Sequence, residues 1–210
     1  MPFLRRRSIT LIELIIASTL FAIMALGFYS IDIFSRSQVL NTRRRALLQD
    51  ELNRVLLHMG KYVQRGIGDR NNPALSYTLP NGFVVRIDCG LTPADYNDDT
   101  LVVYELDNTN HTLSVLCRDN TGTNSCPQDP ISGRTCIPLE EKLSTHIVSG
   151  VIIGLMSDPP AAGFYYQKSD NDCRLDVGLV ARWNPSQAAG PDNPQVAVRS
   201  TFYAGCSSCN

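Results

Sequence analysis

Residues 8–29 read SITLIELIIASTLFAIMALGFY, and this stretch decides what kind of chain this is. A helix of about twenty mostly apolar residues rises about 30 Å, which matches the hydrocarbon thickness of a bilayer. Three arginines, Arg5, Arg6 and Arg7, precede it. Because basic flanks stay in the cytoplasm, the sequence predicts a transmembrane helix over residues 9–29, a cytoplasmic N-terminus and an exported remainder.

One acidic residue, Glu13, lies near the start of this apolar run. A carboxylate at mid-bilayer costs on the order of 2–3 kcal/mol, and less near the interface. Two alternative interpretations of the apolar segment give Glu13 no role: a secretory signal cut near Ala25 and Gly27, or a plain signal anchor. A secretory signal normally contains no such charge, so Glu13 indicates a functional carboxylate that needs a partner.

The stretch Ser8-Ile9-Thr10-Leu11-Ile12-Glu13 follows a basic leader and precedes the apolar helix. It resembles the prepilin processing site of type IV pilins and pseudopilins. That family has a small residue, usually glycine, then an apolar residue, then Thr-Leu-Ile/Val-Glu. Thr10 to Glu13 match this pattern position by position, whereas Ser8 stands where glycine is usual and Ile9 where phenylalanine is usual.

The resemblance implies that a prepilin peptidase cleaves between Ser8 and Ile9 and N-methylates Ile9. Loss of the three leader arginines changes the formal charge from −1 to −4. Glu13 lies four residues beyond Ile9, on the same helical face, and a buried carboxylate needs a cation. The family logic pairs Glu13 with the Ile9 ammonium of its own or an adjacent subunit. The residues expected to serve filament assembly are Thr10, Leu11, Ile12 and Glu13.

The helix is expected to continue beyond the membrane. Spacings of three and four residues create one apolar stripe, formed by Leu48, Leu52, Val55, Leu56, Met59 and Val63. No proline occurs between Ile9 and Asp69, and Gly66 and Gly68 supply a stop. The sequence predicts one nearly continuous helix from about Ile9 to Val63. Residues 30–66 are assigned to an amphipathic segment that continues this helix into the domain.

After Gly68 the sequence changes to strands and turns. Strands are predicted over residues 83–87, 101–106, 113–116, 147–155, 177–183 and 196–203, with a hairpin turn at 107–110. The predicted fold is α+β and pilin-like: a long N-terminal helix packs on a mostly antiparallel sheet in an extracytoplasmic domain over residues 67–210. This order of elements is similar to that of larger minor subunits, the J-type pseudopilins of type II secretion and the W-type minor pilins.

All seven cysteines follow residue 88, which suits a domain folded where disulfides form. The candidates are Cys89, Cys117, Cys126, Cys136, Cys173, Cys206 and Cys209. Cys89 with Cys117 and Cys126 with Cys136 are plausible pairs, although connectivity does not follow from sequence. Cys206 and Cys209 form a C-x-x-C, for which a structural disulfide is favoured over zinc binding or redox activity.

Other features favour no catalytic or cofactor chemistry, so the protein is not expected to be an enzyme. His58, His111 and His146 are isolated in sequence. The acidic loops Asp95–Asp99 and Asp170–Asp176 are expected to form turns; calcium is the alternative, with ligands from Asp170, Asn171, Asp172 and Asp176. The net charge of −1 disfavours nucleic acid, and the run Arg43–Arg45 is expected to be a solvated helix face rather than a DNA site.

The resemblance therefore implies a minor pilin or pseudopilin of the bacterial inner membrane. Its expected role is to initiate or cap assembly of a type IV pilus or a type II secretion pseudopilus. Its expected partners are other minor pilins or pseudopilins, the major pilin, the prepilin peptidase and the inner-membrane assembly platform. The domain would lie in the periplasm or on the pilus. The alternative is a pilus-displayed binding module for adhesion, DNA or a secreted substrate; a membrane-tethered enzyme or sensor is a third hypothesis.

Overall fold

The structure is a computed structural model. It describes residues 10–69, 72–76, 82–89, 92, 95–119, 140–148, 151–152, 164–168 and 174–205. The chain divides after Arg43 into two compact units. The leader residues Ser8 and Ile9 lie outside the described residues, and the predicted boundaries of leader, membrane span and domain stay predictions.

A single helix, α1, runs from Leu11 to Val63. Its composition of leucine, isoleucine and alanine without proline favours this length. The predicted end of the helix at Val63 is confirmed, and there the amide of Gly66 turns back to donate to the Val63 carbonyl at 2.9 Å. By length and composition, α1 contains a segment apolar enough to cross a membrane.

The first sheet is antiparallel and follows chain order. Its strands are β1 (Leu75–Ser76), β2 (Gly82–Ile87), β3 (Thr100–Asp107), β4 (Thr112–Asp119) and β5 (Glu140–Ser144). The predicted β3–β4 hairpin is confirmed. At its turn, Asp107 accepts hydrogen bonds from the side chain and amide of Asn110 and from the amide of Thr109, which lower the pKa of Asp107.

The second sheet has the order β6-β7-β8-β9. Its strands are β6 (Val151–Ile152), β7 (Phe164–Lys168), β8 (Arg174–Arg182) and β9 (Gln195–Tyr203). All pairs are antiparallel except β6 with β7. The strand predicted over 147–155 is present only as a bridge from Ile147 to Ala181 and the short β6; residues 149–150 and 153–155 lie outside the described residues.

The core of the domain joins α1 to both sheets. The helix contributes the predicted stripe, of which Leu48, Leu52 and Val63 are fully buried and Leu56 is partly buried. Each fully buried leucine or valine contributes about 1.5–3 kcal/mol relative to an exposed position. Opposite the stripe, the two sheets bury Phe83, Val85, Val102, Tyr104, Leu113, Leu175, Val177 and Leu179. The structure confirms the α+β arrangement of one long helix and mostly antiparallel strands.

Candidate functional site

The first turn of α1 is closed by Thr10 and Glu13. The Glu13 Oε2 accepts hydrogen bonds from the backbone amide and the hydroxyl of Thr10, both at 2.9 Å. The Thr10 Oγ1 in turn accepts from the Glu13 amide at 3.4 Å. This reciprocal arrangement is a capping box, which supplies acceptors to helix-start amides that have no partner within the helix. The Thr-x-x-Glu spacing in the sequence is the signal that could have predicted it.

Only one oxygen of the Glu13 carboxylate takes part in this box. Carboxylates accept on both oxygens, so Oε1 remains able to accept from an ammonium while Oε2 holds Thr10. The predicted cleavage between Ser8 and Ile9, the methylation of Ile9 and its pairing with Glu13 all fall on the undescribed leader junction. They stay predictions.

Beyond this turn, every residue from Thr10 to Leu40 is exposed. The exposed large apolar side chains surround the helix and include Leu11, Ile12, Leu14, Ile15, Ile16, Leu20, Phe21, Ile23, Met24, Leu26, Phe28, Ile31, Ile33, Phe34, Val39 and Leu40. A helix that is apolar on all sides is normally covered by lipid or by other apolar helices. This surface therefore requires an environment other than water.

Three hydroxyl groups in this segment are satisfied by the helix itself. Ser18 donates to the Ile15 carbonyl and Thr19 to the Ile16 carbonyl, both at 2.9 Å. Ser30 donates to the Leu26 carbonyl at the same distance. In an apolar environment an unbonded hydroxyl is costly, so these bonds make the segment compatible with a membrane or a helical bundle.

Polar contacts connect the part of α1 that follows Arg43 to the loops of the domain. Glu51 accepts a hydrogen bond from the Thr145 amide at 3.3 Å and lies 2.9 Å from the His146 Nδ1. The Arg44 guanidinium donates to the Asp192 carbonyl at 2.5 Å and lies 5.5 Å from the centre of the Trp183 ring. The expectation that Arg43–Arg45 is a solvated face is therefore wrong for Arg44, because Arg44 is half-buried against Trp183.

His58 lies on the same helix and is partly buried against the first sheet. Its Nδ1 is 3.1 Å from the Tyr104 hydroxyl, and its Nε2 is 3.8 Å from Glu141. Burial is the main cause that lowers the pKa of His58, while the nearby Glu141 opposes it. Burial also raises the pKa of Tyr104 well above its ordinary value. His58 is thus a packed helix residue that joins α1 to β3.

Of the four residues proposed to bind calcium, Asp176 alone lies in the described part of the chain. Asp176 is buried in β8, where it accepts from the Thr201 hydroxyl and pairs with Arg174 at 2.8 Å. Its suggested companions Asp170, Asn171 and Asp172 lie outside the described residues. Among described residues, no group of three or more His, Cys, Asp or Glu side chains could hold a metal ion. Calcium binding by this loop stays an untested expectation.

The other acidic loop serves local structure. Asp95 accepts from the Asn97 amide at 3.0 Å, which closes a turn. Asp99 is buried and lies 3.2 Å from the Arg86 guanidinium. Burial is the largest cause that raises the pKa of Asp99, and the Arg86 contact opposes it. The acidic residues of this loop therefore stabilise the turn and the end of β2.

Cysteine chemistry is visible at two positions. Cys89 and Cys117 are both buried, and each sulfur is disulfide-bonded. The remaining candidates, Cys126, Cys136, Cys173, Cys206 and Cys209, lie outside the described residues. The pairing of all seven cysteines stays a prediction.

Comparison with known families gives a match that falls on the N-terminal segment. Residues 4–29 match the prokaryotic N-terminal methylation motif. No curated protein and no solved structure matches the chain. The matched range contains the basic leader, the Thr10–Glu13 capping box and the first part of the exposed apolar helix. The chain therefore carries a type IV pilin-like prepilin signal, consistent with the type IV pilin and pseudopilin superfamily.

Proposed function

We propose that this protein is a minor pilin or pseudopilin, a non-enzymatic subunit that helps to initiate or cap a type IV pilus or type II secretion pseudopilus. One observation carries the proposal. A methylation motif leads directly into a helix whose apolar side chains are exposed on every side from Leu11 to Leu40. Such a surface suits storage in a bilayer and later packing against the helices of other subunits.

In this proposal, lipid first covers the apolar segment in the inner membrane, with the N-terminus in the cytoplasm. The prepilin peptidase then cuts between Ser8 and Ile9, which removes the three leader arginines and exposes an ammonium on Ile9. Neighbouring subunits replace the lipid when the helix leaves the bilayer. The apolar surface alone allows many axial positions, because hydrophobic contact is not directional.

Glu13 supplies the directional contact. A carboxylate that loses water without gaining a cation costs several kcal/mol. Docking positions that bring an Ile9 ammonium to the Glu13 Oε1 are therefore favoured over shifted ones. Because Oε2 remains bonded to Thr10, the capping box holds the carboxylate in place for this contact. The expected partners are other minor pilins or pseudopilins, the major pilin and the assembly platform.

Mass analysis of the N-terminus of purified protein tests the proposal. We expect a chain that begins at methylated Ile9. An intact Met1, or a cut near Gly27, would contradict the proposal. A Glu13→Gln variant separates processing from assembly: because the amide keeps an oxygen for Thr10 but loses the charge, we expect cleavage to persist and filament incorporation to fall sharply.

A further inference from the structure

Strand β9 lies at the edge of the second sheet in the described part of the chain. It pairs with β8 along its whole length, from Gln195 to Tyr203, and it is last in the strand order. Among the described residues, no backbone hydrogen bond reaches its outer side. In an antiparallel strand, alternate residues direct their N–H and C=O groups to each side. About four residues of β9 therefore present unused backbone groups, which is a template for another strand.

A groove of about 700 Å³ runs between this edge and α1. Ser200 and Phe202 line it from β9, Gln64 and Arg65 line it from the turn after α1, and five residues line it from the helix: Asn53, Leu56, Leu57, Gly60 and Lys61. The Phe202 ring lies directly against Gly60, where an added Cβ would come within 2.9 Å of the ring. Leu57 lines this largely apolar groove and is 74% exposed, so the groove presents apolar surface to solvent.

The edge of β9 and the groove lie side by side, so that one strand added to β9 would also cover the groove. Neighbouring strands lie about 4.8 Å apart and alternate side chains point to the same face. A strand added to β9 would extend the sheet over the helix face that carries Asn53, Leu57 and Lys61, which are spaced four residues apart. Every second side chain of the added strand would then enter the groove and cover Leu57.

The charges beside β9 favour one kind of added strand. The described lining of the groove includes the exposed cation Lys61 and no acidic residue. Arg199 lies at the centre of β9 and is exposed. Its neighbour on β8 is Gly178, which offers no side chain opposite the guanidinium. Antiparallel pairing of two copies of β9 about their centres would set Arg199 opposite Arg199, and like charges in direct opposition are destabilising. The edge therefore favours an acidic strand from another protein over a second copy of itself.

We propose that the edge of β9 and the adjacent groove bind an extended segment of another protein in which apolar side chains alternate with carboxylates. Backbone hydrogen bonds to β9 would supply affinity. The groove would take the apolar side chains, and Arg199, which lies on the opposite face of β9 from Ser200 and Phe202, would pair with the carboxylates. The site belongs to the domain alone, so it goes beyond the proposed assembly function and does not depend on cleavage at Ser8.

Peptide binding to the full chain in lipid nanodiscs tests this proposal. The probe is a labelled nine-residue peptide of alternating valine and glutamate. Two matched peptides have lysine in place of glutamate, or prolines in place of two valines. We expect the acidic strand peptide to bind, with slowed amide exchange over residues 195–203, and both matched peptides to fail. Equal binding of the proline peptide would overturn strand addition, and equal binding of the lysine peptide would overturn the charge selection.

Two variants locate the site. Arg199→Glu should reverse the preference, weakening the acidic peptide about tenfold and admitting the lysine peptide. Lys142→Glu is the matched control, because Lys142 is an exposed cation on the edge strand β5 of the other sheet; it should change nothing. Leu57→Ser should weaken the acidic peptide without unfolding an already exposed position. Unchanged binding in both site variants, no binding at millimolar peptide, or dimers of the chain that protect residues 195–203 would each overturn the proposal.

Discussion

Two regions of α1 have similar apolar side chains and opposite surroundings. From Leu11 to Leu40 the apolar residues lie all around the helix and are all exposed. From Leu48 to Val63 they form a stripe buried against the two sheets of the domain, while Asp50, Arg54 and Lys61 remain in solvent. The second region is stabilised by its own chain. The first has no such cover among the described residues and needs an apolar environment. The pattern of apolar residues therefore divides α1 into a part that folds with the domain and a part that does not.

Two exposed leucines, one from each region, give the most direct test of this comparison. Leu20 is 57% exposed and Leu57 is 74% exposed. If both faced water, arginine would be harmless at either position. Because Leu20 lies in the segment of α1 that is apolar enough to cross a membrane, we expect Leu20→Arg to cost about 3–4 kcal/mol of insertion free energy. Leu57→Arg should leave insertion unchanged. The measurement is the fraction of protein that remains in membranes after alkaline extraction, and equal fractions for the two variants would contradict a membrane role for the first region.

The buried stripe gives the next largest effect. Leu52 is fully buried, so Leu52→Ala should lower the free energy of unfolding of the domain by about 3 kcal/mol through lost contacts and a residual cavity. Leu57→Ala on the solvent face should stay within about 0.5 kcal/mol. Denaturant titration followed by the fluorescence of Trp183, the only tryptophan, measures both. A similar loss for both variants would mean that the stripe does not stabilise the domain more than the exposed face does.

The sequence predicted these two regions well because each leaves a periodic or local signal. The stripe repeats at helical spacing, and the prepilin motif is a short contiguous pattern. The spacing of Thr10 and Glu13 also indicates a capping box. The same two residues match the processing motif, however, and only the processing motif was recognised from the sequence. A local signal with two physical meanings can thus hide one of them.

Tertiary contacts were the part that the sequence could not predict. Arg44 sits in a run of three arginines that resembles a solvated face, but Trp183 and Asp192, far along the chain, half-bury it. The groove beside β9 is likewise made by two distant segments, α1 and β9. Strand β7 was missed although Phe164, Tyr165 and Tyr166 are residues typical of strands. Pairing partners of this kind are set by the whole fold rather than by any window of sequence.

A pH titration sharpens the comparison on the buried side of α1. Burial lowers the pKa of His58, and the groups around it are Tyr62, Tyr104, Glu141 and Lys61. The unfolded chain therefore binds a proton at His58 more readily than the folded domain does. The stability that neutral His58 provides is present above its unfolded pKa of about 6.5 and is lost as the pH falls below it.

We expect a smaller effect than that of the core cavity, seen as a decline in the free energy of unfolding between pH 7.5 and 5.5. His58→Gln should make this decline shallower, because glutamine keeps a polar group near the Tyr104 hydroxyl but does not titrate. His111 and His146 are the same in both proteins, so a difference between the two slopes reports on position 58. Identical slopes in the two proteins would show that protonation of His58 is not linked to unfolding.

The smallest expected change in the free energy of unfolding comes from the solvent face of the same helix turns. Arg54 lies 3.4 Å from Asp50, one turn away, and both side chains are about 70% exposed. Pairs of this kind contribute about 0.3–0.5 kcal/mol because water screens the charges and both side chains lose freedom. Arg54→Ala should therefore lower the free energy of unfolding by no more than this amount, and a double-mutant cycle with Asp50→Ala in 1 M salt should show no coupling. A coupling above 1 kcal/mol would mean that water does not screen this pair, so this face of the helix would be covered in the folded protein. That result would contradict the contrast between a buried stripe and a solvent face.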